Sequence, residues 1–420
     1  MEKYSKNNKL NKLFLISFCF LFIFNPTVFF QKVNLIHFLF IISLVFIVFR
    51  PKSFRIFLNK NVFLSYFFVF FLFLYLTGYY ISSFSDDIAY KVYSLGILFM
   101  ESAVISLFIC NRAYEYYDRQ AKGIYQLIFA VLLVQTFFVL LSMLVPEFRD
   151  WVLSNSRQEG LVELSNQFGI LRSFGLTEAF TSTTPMLLGL SSALIFYQAF
   201  SQRFSYRNIF MIFCCALFVL SAAVNARIGL VPIILSFMIL TASFFYNQRI
   251  FFKWFSISLF LSSIGFWLFT IYSDAAILKR LLSAKEEILA LFELQLSGTF
   301  LTLYKMHFLP ADALGVLTGT GIDVFRSGTL HSDVGYIVDI NLIGILGSII
   351  LWSGFMFLLL PALKSIKSYF GLNAVILTCF SLFLFYFKGA SIAANDLTKC
   401  IMLLSFYFVM VRSNIRDKRN

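Results

Sequence analysis

His331 and Asp333, in the stretch GTLHSDVGYIVD (328–339), place an imidazole and a carboxylate two residues apart, either of which could accept a hydroxyl proton. The chain has only three histidines in 420 residues, so the position asks for a reason. Two arginines join them as candidates. Arg227 stands in SAAVNARIGLVP, a hairpin so tight that the side chain has almost no loop to escape into, and Arg172 stands in GILRSFGLTEAF, with Glu178 close behind it. Guanidinium groups suit bidentate capture of phosphate oxygens, and a carboxylate or imidazole within reach could take a hydroxyl proton. Together these groups match a lipid-linked diphosphate whose head projects from one leaflet.

Each residue also has a plainer reading. Arg227 could snorkel to lipid headgroups, as arginines at hairpin ends do cheaply. Arg172 and Glu178 could form a structural ion pair, His331 could be a satisfied loop histidine, and Asp333 or Asp339 could cap the helix that follows. Glu101, in the middle of an apolar stretch, and Lys388, at the end of another, could pair with one another. Gly319 and Gly321 in LTGTGID could cradle a phosphate, although such a pair more often punctuates a loop.

The elements that must position these groups are membrane helices. Apolar residues make up 60% of the chain and charged ones 13%, with a mean hydropathy of +0.83, more apolar side chain than a water-soluble core absorbs. About twelve windows approach the ~20 residues that cross a hydrocarbon core as helix. They fall near 13–30, 35–49, 61–83, 92–110, 125–145, 181–200, 209–224, 229–246, 255–272, 340–361, 372–388 and 399–411. Continuous apolarity favours helices over the alternating segments of a barrel. The fold expected is therefore all-α: a single polytopic membrane domain over 1–420. The first window reads as a retained helix, kinked near Pro26, because NPTVFFQKVN offers no small-residue cleavage site.

Charge sets the orientation. With the N-terminus inside, the inner segments hold 21 of the 34 Lys and Arg and only four acids, the asymmetry of the positive-inside rule. Both termini are then cytoplasmic. The net charge of +13 is a topology signal, and no basic, aromatic-bearing soluble patch points to nucleic acid. The six cysteines lie within or beside spans and show no metal-ligand spacing.

Two outer loops, 147–180 and 273–338, are far longer than a bundle needs. In the second, 274–294 reads as an amphipathic helix beginning at Asp274, with Leu278, Leu281, Ile288 and Leu291 on one stripe. It would lie on the outer leaflet or roof the bundle.

NARIGL in a tight outer hairpin, LRSFGLTEAF before a span, and GTGIDVF followed by HSDVGYIVDINLIGILG resemble the Wzy-type polymerases of bacterial O-antigen and capsule repeat units, within the O-antigen polymerase and ligase superfamily. The motifs cover about 147–361; elsewhere only the layout agrees. The resemblance implies a GT-C-like membrane enzyme with its two large loops in the periplasm. It would join undecaprenyl-diphosphate-linked oligosaccharides at the periplasmic face of the inner membrane, by a glycosyl transfer that uses no metal and no cofactor. Carried over by position, Arg172 and Arg227 would hold the diphosphate, while His331, Asp333 and Glu178 would orient or deprotonate the acceptor. Membrane lipids and a chain-length regulator are the other candidate partners. An O-antigen ligase would run the same chemistry onto lipid A-core. A lipid-linked oligosaccharide flippase is disfavoured by the long 273–338 loop, and a cation transporter by spans almost without carboxylates.

Overall fold

In a computed structural model the described residues are 2–26, 34–117, 122–155, 175–177, 183–201, 206–244, 290, 293, 297–326, 331–389, 392–393 and 395–417. Among them there is no β-strand; every apolar window except 255–272, which lies outside them, overlaps a helix, although 13–30, 181–200 and 229–246 also run beyond the described residues. Among the described residues five helices are long and apolar enough to cross a membrane: Lys60–Ser83, Asp86–Tyr116, Lys122–Leu144, Tyr206–Asn225 and Gly335–Phe370. The described residues are thus helical without strands, and their apolar helices are those of a multi-pass membrane protein by length and composition. The amphipathic helix expected at 274–294 falls outside the described residues except for isolated positions.

α1 (Glu2–Phe24) and α2 (Leu35–Val48) form the first hairpin. The kink expected near Pro26 is instead the end of the helix: Asn25 turns left-handed at φ 43°. Proline disfavours helical geometry in the residue before it, and asparagine tolerates the left-handed region. Asn34 then caps α2 through its side chain, which accepts from the Ile36 amide at 3.1 Å.

α3 (Lys60–Ser83) and α4 (Asp86–Gly96) form a second hairpin, α4 capped by Ser85 with Asp86 and Asp87 in its first turn. A π turn, Ile97–Glu101, joins α4 to α5 (Ser102–Tyr116) without interrupting the span. α6 (Lys122–Leu144) and the short α7 (Pro146–Ser154) lead into the first large loop. Beyond it come α8 (Thr183–Ser201), α9 (Tyr206–Asn225) and α10 (Val231–Phe244). The second large loop holds α11 (Gly298–Lys305) and α12 (Ala313–Thr318). The last three helices are α13 (Gly335–Phe370), α14 (Leu372–Lys388) and α15 (Asp396–Asp417).

α13 is the pillar of the bundle, packed between α3 and α15, and α15 reaches on to α5. Tyr407 and Phe406 on α15 are completely buried, as are Phe22 and Phe99. Many other phenylalanines, among them Phe38, Phe63, Phe70, Phe213 and Phe383, are exposed on the outside of the bundle. That is the pattern of a surface that meets lipid, where an exposed apolar ring costs nothing.

Candidate functional site

The N-terminal end of α13 is not one continuous helix. Gly344 sits at φ 69°, ψ 177°, breaking it between Ile343 and Ile345. The freed backbone groups are met by the LTGTG loop, which crosses the break: the Thr320 amide donates to the Asn341 carbonyl at 2.7 Å and the Gly321 amide to Leu342 at 3.2 Å. Only glycine allows this approach, since a Cβ on Gly319 would lie 2.6 Å from the Leu342 oxygen and one on Gly344 would lie 2.4 Å from the Gly319 nitrogen. The Gly319 amide is bonded to the Gly315 carbonyl. With all three loop amides engaged, the paired glycines join backbone to backbone and are not a phosphate cradle.

The hairpin of α3 and α4 grips the same loop from the side. The Tyr75 hydroxyl donates to the carbonyls of Thr318 (2.8 Å) and Ile343 (3.1 Å), Tyr79 to Gly319 (2.9 Å) and Ser85 to Gly321 (2.6 Å). Asp87 accepts from the Asp323 amide at 2.9 Å. Irregular backbone at this depth survives because protein groups replace the water that lipid lacks. Helices broken in this way are a recurrent means of bringing polar backbone to a membrane-embedded site.

Above the break stands the nominated pair. His331 Nε2 lies 2.8 Å from Asp333 Oδ1, and both side chains are substantially exposed. The imidazole is therefore held by a carboxylate on one nitrogen while Nδ1 faces away from that contact, the arrangement of a base with its orienting acid. Phe325 lies beside the ring, with centroids 5.7 Å apart. Asp333 does not cap α13, and neither does Asp339: the cap residue is Val334, with no side-chain bond.

Asp339 is completely buried one turn into α13. It accepts from Lys91 Nζ of α4 at 2.8 Å and from the Tyr386 hydroxyl of α14 at 2.7 Å, tying three helix ends together. Asp323, two residues after Gly321, was not nominated from the sequence. It is nearly buried, and its Oδ1 accepts from the Phe325 amide at 3.0 Å. Burial raises its carboxyl above the ordinary 3.8, the neighbouring Asp87 adds to the rise, and the Phe325 amide, Lys91 and Arg326 oppose it. A carboxyl raised on folding contributes stability below its ordinary value, and that contribution is lost as pH climbs through the elevated folded value. The melting temperature of the wild type relative to Asp323→Asn is therefore expected to fall as pH rises from 3.8 towards neutrality; a pH-independent difference between the two would contradict this.

Arg227 opens the 3-10 turn Arg227–Leu230 between α9 and α10 and is exposed. Its hairpin is as tight as the sequence suggests, because Gly229 crosses α8 in backbone contact. A Cβ on Gly189 would lie 1.7 Å from the Gly229 oxygen, and one on Gly229 would lie 2.5 Å from the Pro185 oxygen. Gly189→Val should therefore push the hairpin away from α8 at a cost of roughly 1–3 kcal/mol or more. A lowered melting temperature of the purified variant checks this, and an unchanged one contradicts it.

Arg172 and Glu178 lie outside the described residues. Between them Leu176 and Thr177 are buried, and the Thr177 hydroxyl is 3.2 Å from that of Thr184, which donates to buried Asp396 at 2.5 Å. Lys399, one turn further along α15, is buried too and donates to the Ile23 carbonyl at 3.3 Å. This second polar cluster, at the junction of α8, α15 and the end of α1, carries no signal in the sequence beyond charges inside a greasy window. Glu101 is not partnered by Lys388, as the sequence suggested; both its oxygens meet His37 Nδ1, at 2.9 and 2.8 Å. A cavity of about 280 Å³ lies at the opposite end of the bundle, between α6, α8, α9 and the last turn of α13, and among the described residues none of the nominated ones lines it.

Set against protein-family models, curated proteins and solved structures, the chain matches none of them.

Proposed function

We propose that this protein is a polysaccharide polymerase of the outer face of a bacterial inner membrane, joining undecaprenyl-diphosphate-linked oligosaccharide units into O-antigen or capsular polymer. The observation that carries the reading is the carboxylate-held, solvent-facing His331, mounted by a clamped loop on the broken end of a membrane helix. A lipid-linked sugar presents its reacting carbon at that height and brings its own leaving group, so the protein need supply only a base, cations and orientation.

In the proposed reaction, a hydroxyl at the non-reducing end of one unit attacks the anomeric carbon of the growing chain. His331 takes the hydroxyl proton at Nδ1 while Asp333 stabilises the imidazolium through Nε2. The bond from the anomeric carbon to the diphosphate oxygen breaks, and undecaprenyl diphosphate leaves with the electron pair. Arg172 and Arg227 are assigned to the diphosphate, where they would hold the ground state and stabilise the developing charge. Glu178 is assigned to the acceptor. The charge pattern supports this side of the membrane, since the segments flanking His331 and Arg227 belong to the base-poor face.

Glycolipid profiling of a deletion strain tests the proposal. Material carrying a single repeat unit is expected; unaltered long-chain polymer, or loss of every repeat unit through arrest on the inner leaflet, would refute it.

A further inference from the structure

The cavity at the far end of the bundle from His331 takes no part in the reaction above. Its floor is a packed set of rings: Tyr125 of α6 stacks on Tyr369 at the end of α13 with centroids 4.8 Å apart, and Phe370 meets Tyr369 edge-on at 4.7 Å. The Tyr125 hydroxyl donates to Ser365 Oγ at 3.0 Å, which fixes the floor. The walls are apolar, with Ile128 and Leu132 on α6 and Leu194 and Ile195 on α8 all buried. Gln126, Arg207 and Phe210 line the cavity too and are exposed, so it opens at the surface of the bundle beside α9. That surface is apolar, because Ile209, Phe210 and Phe213 are exposed along it. A pre-formed, mostly apolar cavity with a few polar groups is the ordinary form of a small-ligand site.

The sign of the charge says which ligand. Segments 119–146, 179–273 and 340–395 carry every residue that lines the cavity, and they contain no aspartate or glutamate. Arg207 makes no ion pair or hydrogen bond among the described residues. The other charged residues of α6 and of the last turns of α13, Lys122, Lys364 and Lys367, are basic as well. The acids that come next in the chain have bases of their own: Glu115 is paired with Arg50 and Arg112, and Asp118 is followed by Arg119 and Lys122. A guanidinium at the mouth of an apolar cavity, with no carboxylate on any wall, selects a molecule that is apolar along its length and anionic at one end. Gln126 and Ser191 add two hydrogen-bond donors to the lining.

We propose that this cavity binds an anionic phospholipid of the adjoining leaflet, with one acyl chain between α6, α8 and α9 over the Tyr125–Tyr369 floor and the phosphodiester held by Arg207. The positive-inside rule gives this base-rich end to the cytoplasm, and the cytoplasmic leaflet is the one rich in anionic lipid. The site shares no residue with the one proposed for the polyprenyl carrier and does not depend on the polymerase reading. A lipid seated there touches α6, α8, α9 and α13 together, and so stabilises the folded bundle by mass action.

The test uses the full chain in maltoside micelles, with p-benzoylphenylalanine replacing Phe210 at the mouth of the cavity or, as the control, the exposed Phe213 outside it. Phosphatidylglycerol, phosphatidylcholine and a polyprenyl diphosphate are added separately before irradiation. At position 210 phosphatidylglycerol is expected to give at least about tenfold more adduct than phosphatidylcholine, the value of one charge-assisted hydrogen bond. At position 213 there should be no preference. Arg207→Gln should remove the preference at 210, Arg207→Lys should keep part of it, and Ser191→Phe, which fills the cavity, should reduce labelling there by every lipid. Phosphatidylglycerol should also raise the melting temperature of the wild type and leave that of Arg207→Gln where it was. Equal labelling by phosphatidylcholine, the same preference at both positions, indifference to Arg207→Gln, or stronger labelling by the polyprenyl diphosphate than by phosphatidylglycerol would overturn the proposal. None of these measurements reads polymer and none of these residues is assigned to the reaction, so a chain that labels as expected but fails to polymerise, or the reverse, assigns the failure to one idea alone.

Discussion

Replacing His331 with alanine is expected to reduce chain lengthening by about 10²- to 10⁴-fold, the range over which a positioned general base contributes. The structure makes this substitution clean. The side chain is substantially exposed and, among the described residues, its polar partner is the exposed Asp333, so its removal leaves no buried carboxylate unsatisfied. Protein level and membrane insertion should therefore match the wild type, while the ladder of polymer lengths collapses to single units. Asp333→Asn should be milder, because the amide can still touch the ring but cannot stabilise an imidazolium. If His331→Ala leaves the ladder intact, the imidazole is not the base, and Asp323, raised by burial in the same loop, becomes the group to test.

The second large effect is on stability and lies one turn below. Lys91→Ala should cost roughly 3–5 kcal/mol, because it strands the Asp339 carboxylate at a fully buried position with only the Tyr386 hydroxyl left to it. A loss of that size is a substantial part of the net stability of an ordinary domain. The double substitution Lys91→Ala with Asp339→Ala should be less destabilising than Lys91→Ala alone, since no uncompensated charge remains. Thermal unfolding of the purified variants measures both. A double variant at least as unstable as the single one would show that the helix ends are held by packing and not by this pair.

The apolar helices were legible because lipid imposes a long apolar run on any helix that faces it; of the twelve windows, five coincide with helices long and apolar enough to cross a membrane among the described residues. His331 and Asp333 were each nominated from the sequence, but their 2.8 Å contact is a finding of the structure. Long-range partners were hidden. Glu101 reaches His37 rather than Lys388 because a π turn redirects it, and hydropathy is blind to one inserted residue in a helix. The break at Gly344 lies in INLIGILG, a stretch as apolar as the helix on either side. What marks it is the backbone of the LTGTG loop lying across it, and that crossing exists only in three dimensions. Pro26 shows the converse: the residue was noticed, but a kink was inferred where the left-handed Asn25 ends the helix.

The most direct test of the account is the reaction itself. The purified chain would be placed in lipid nanodiscs with a synthetic undecaprenyl-diphosphate oligosaccharide and a metal chelator, and the products resolved by length. The account predicts a ladder of lengthened glycans that disappears with His331→Ala and with Arg227→Ala. No lengthening by the wild type, or a ladder indifferent to both substitutions, would contradict it.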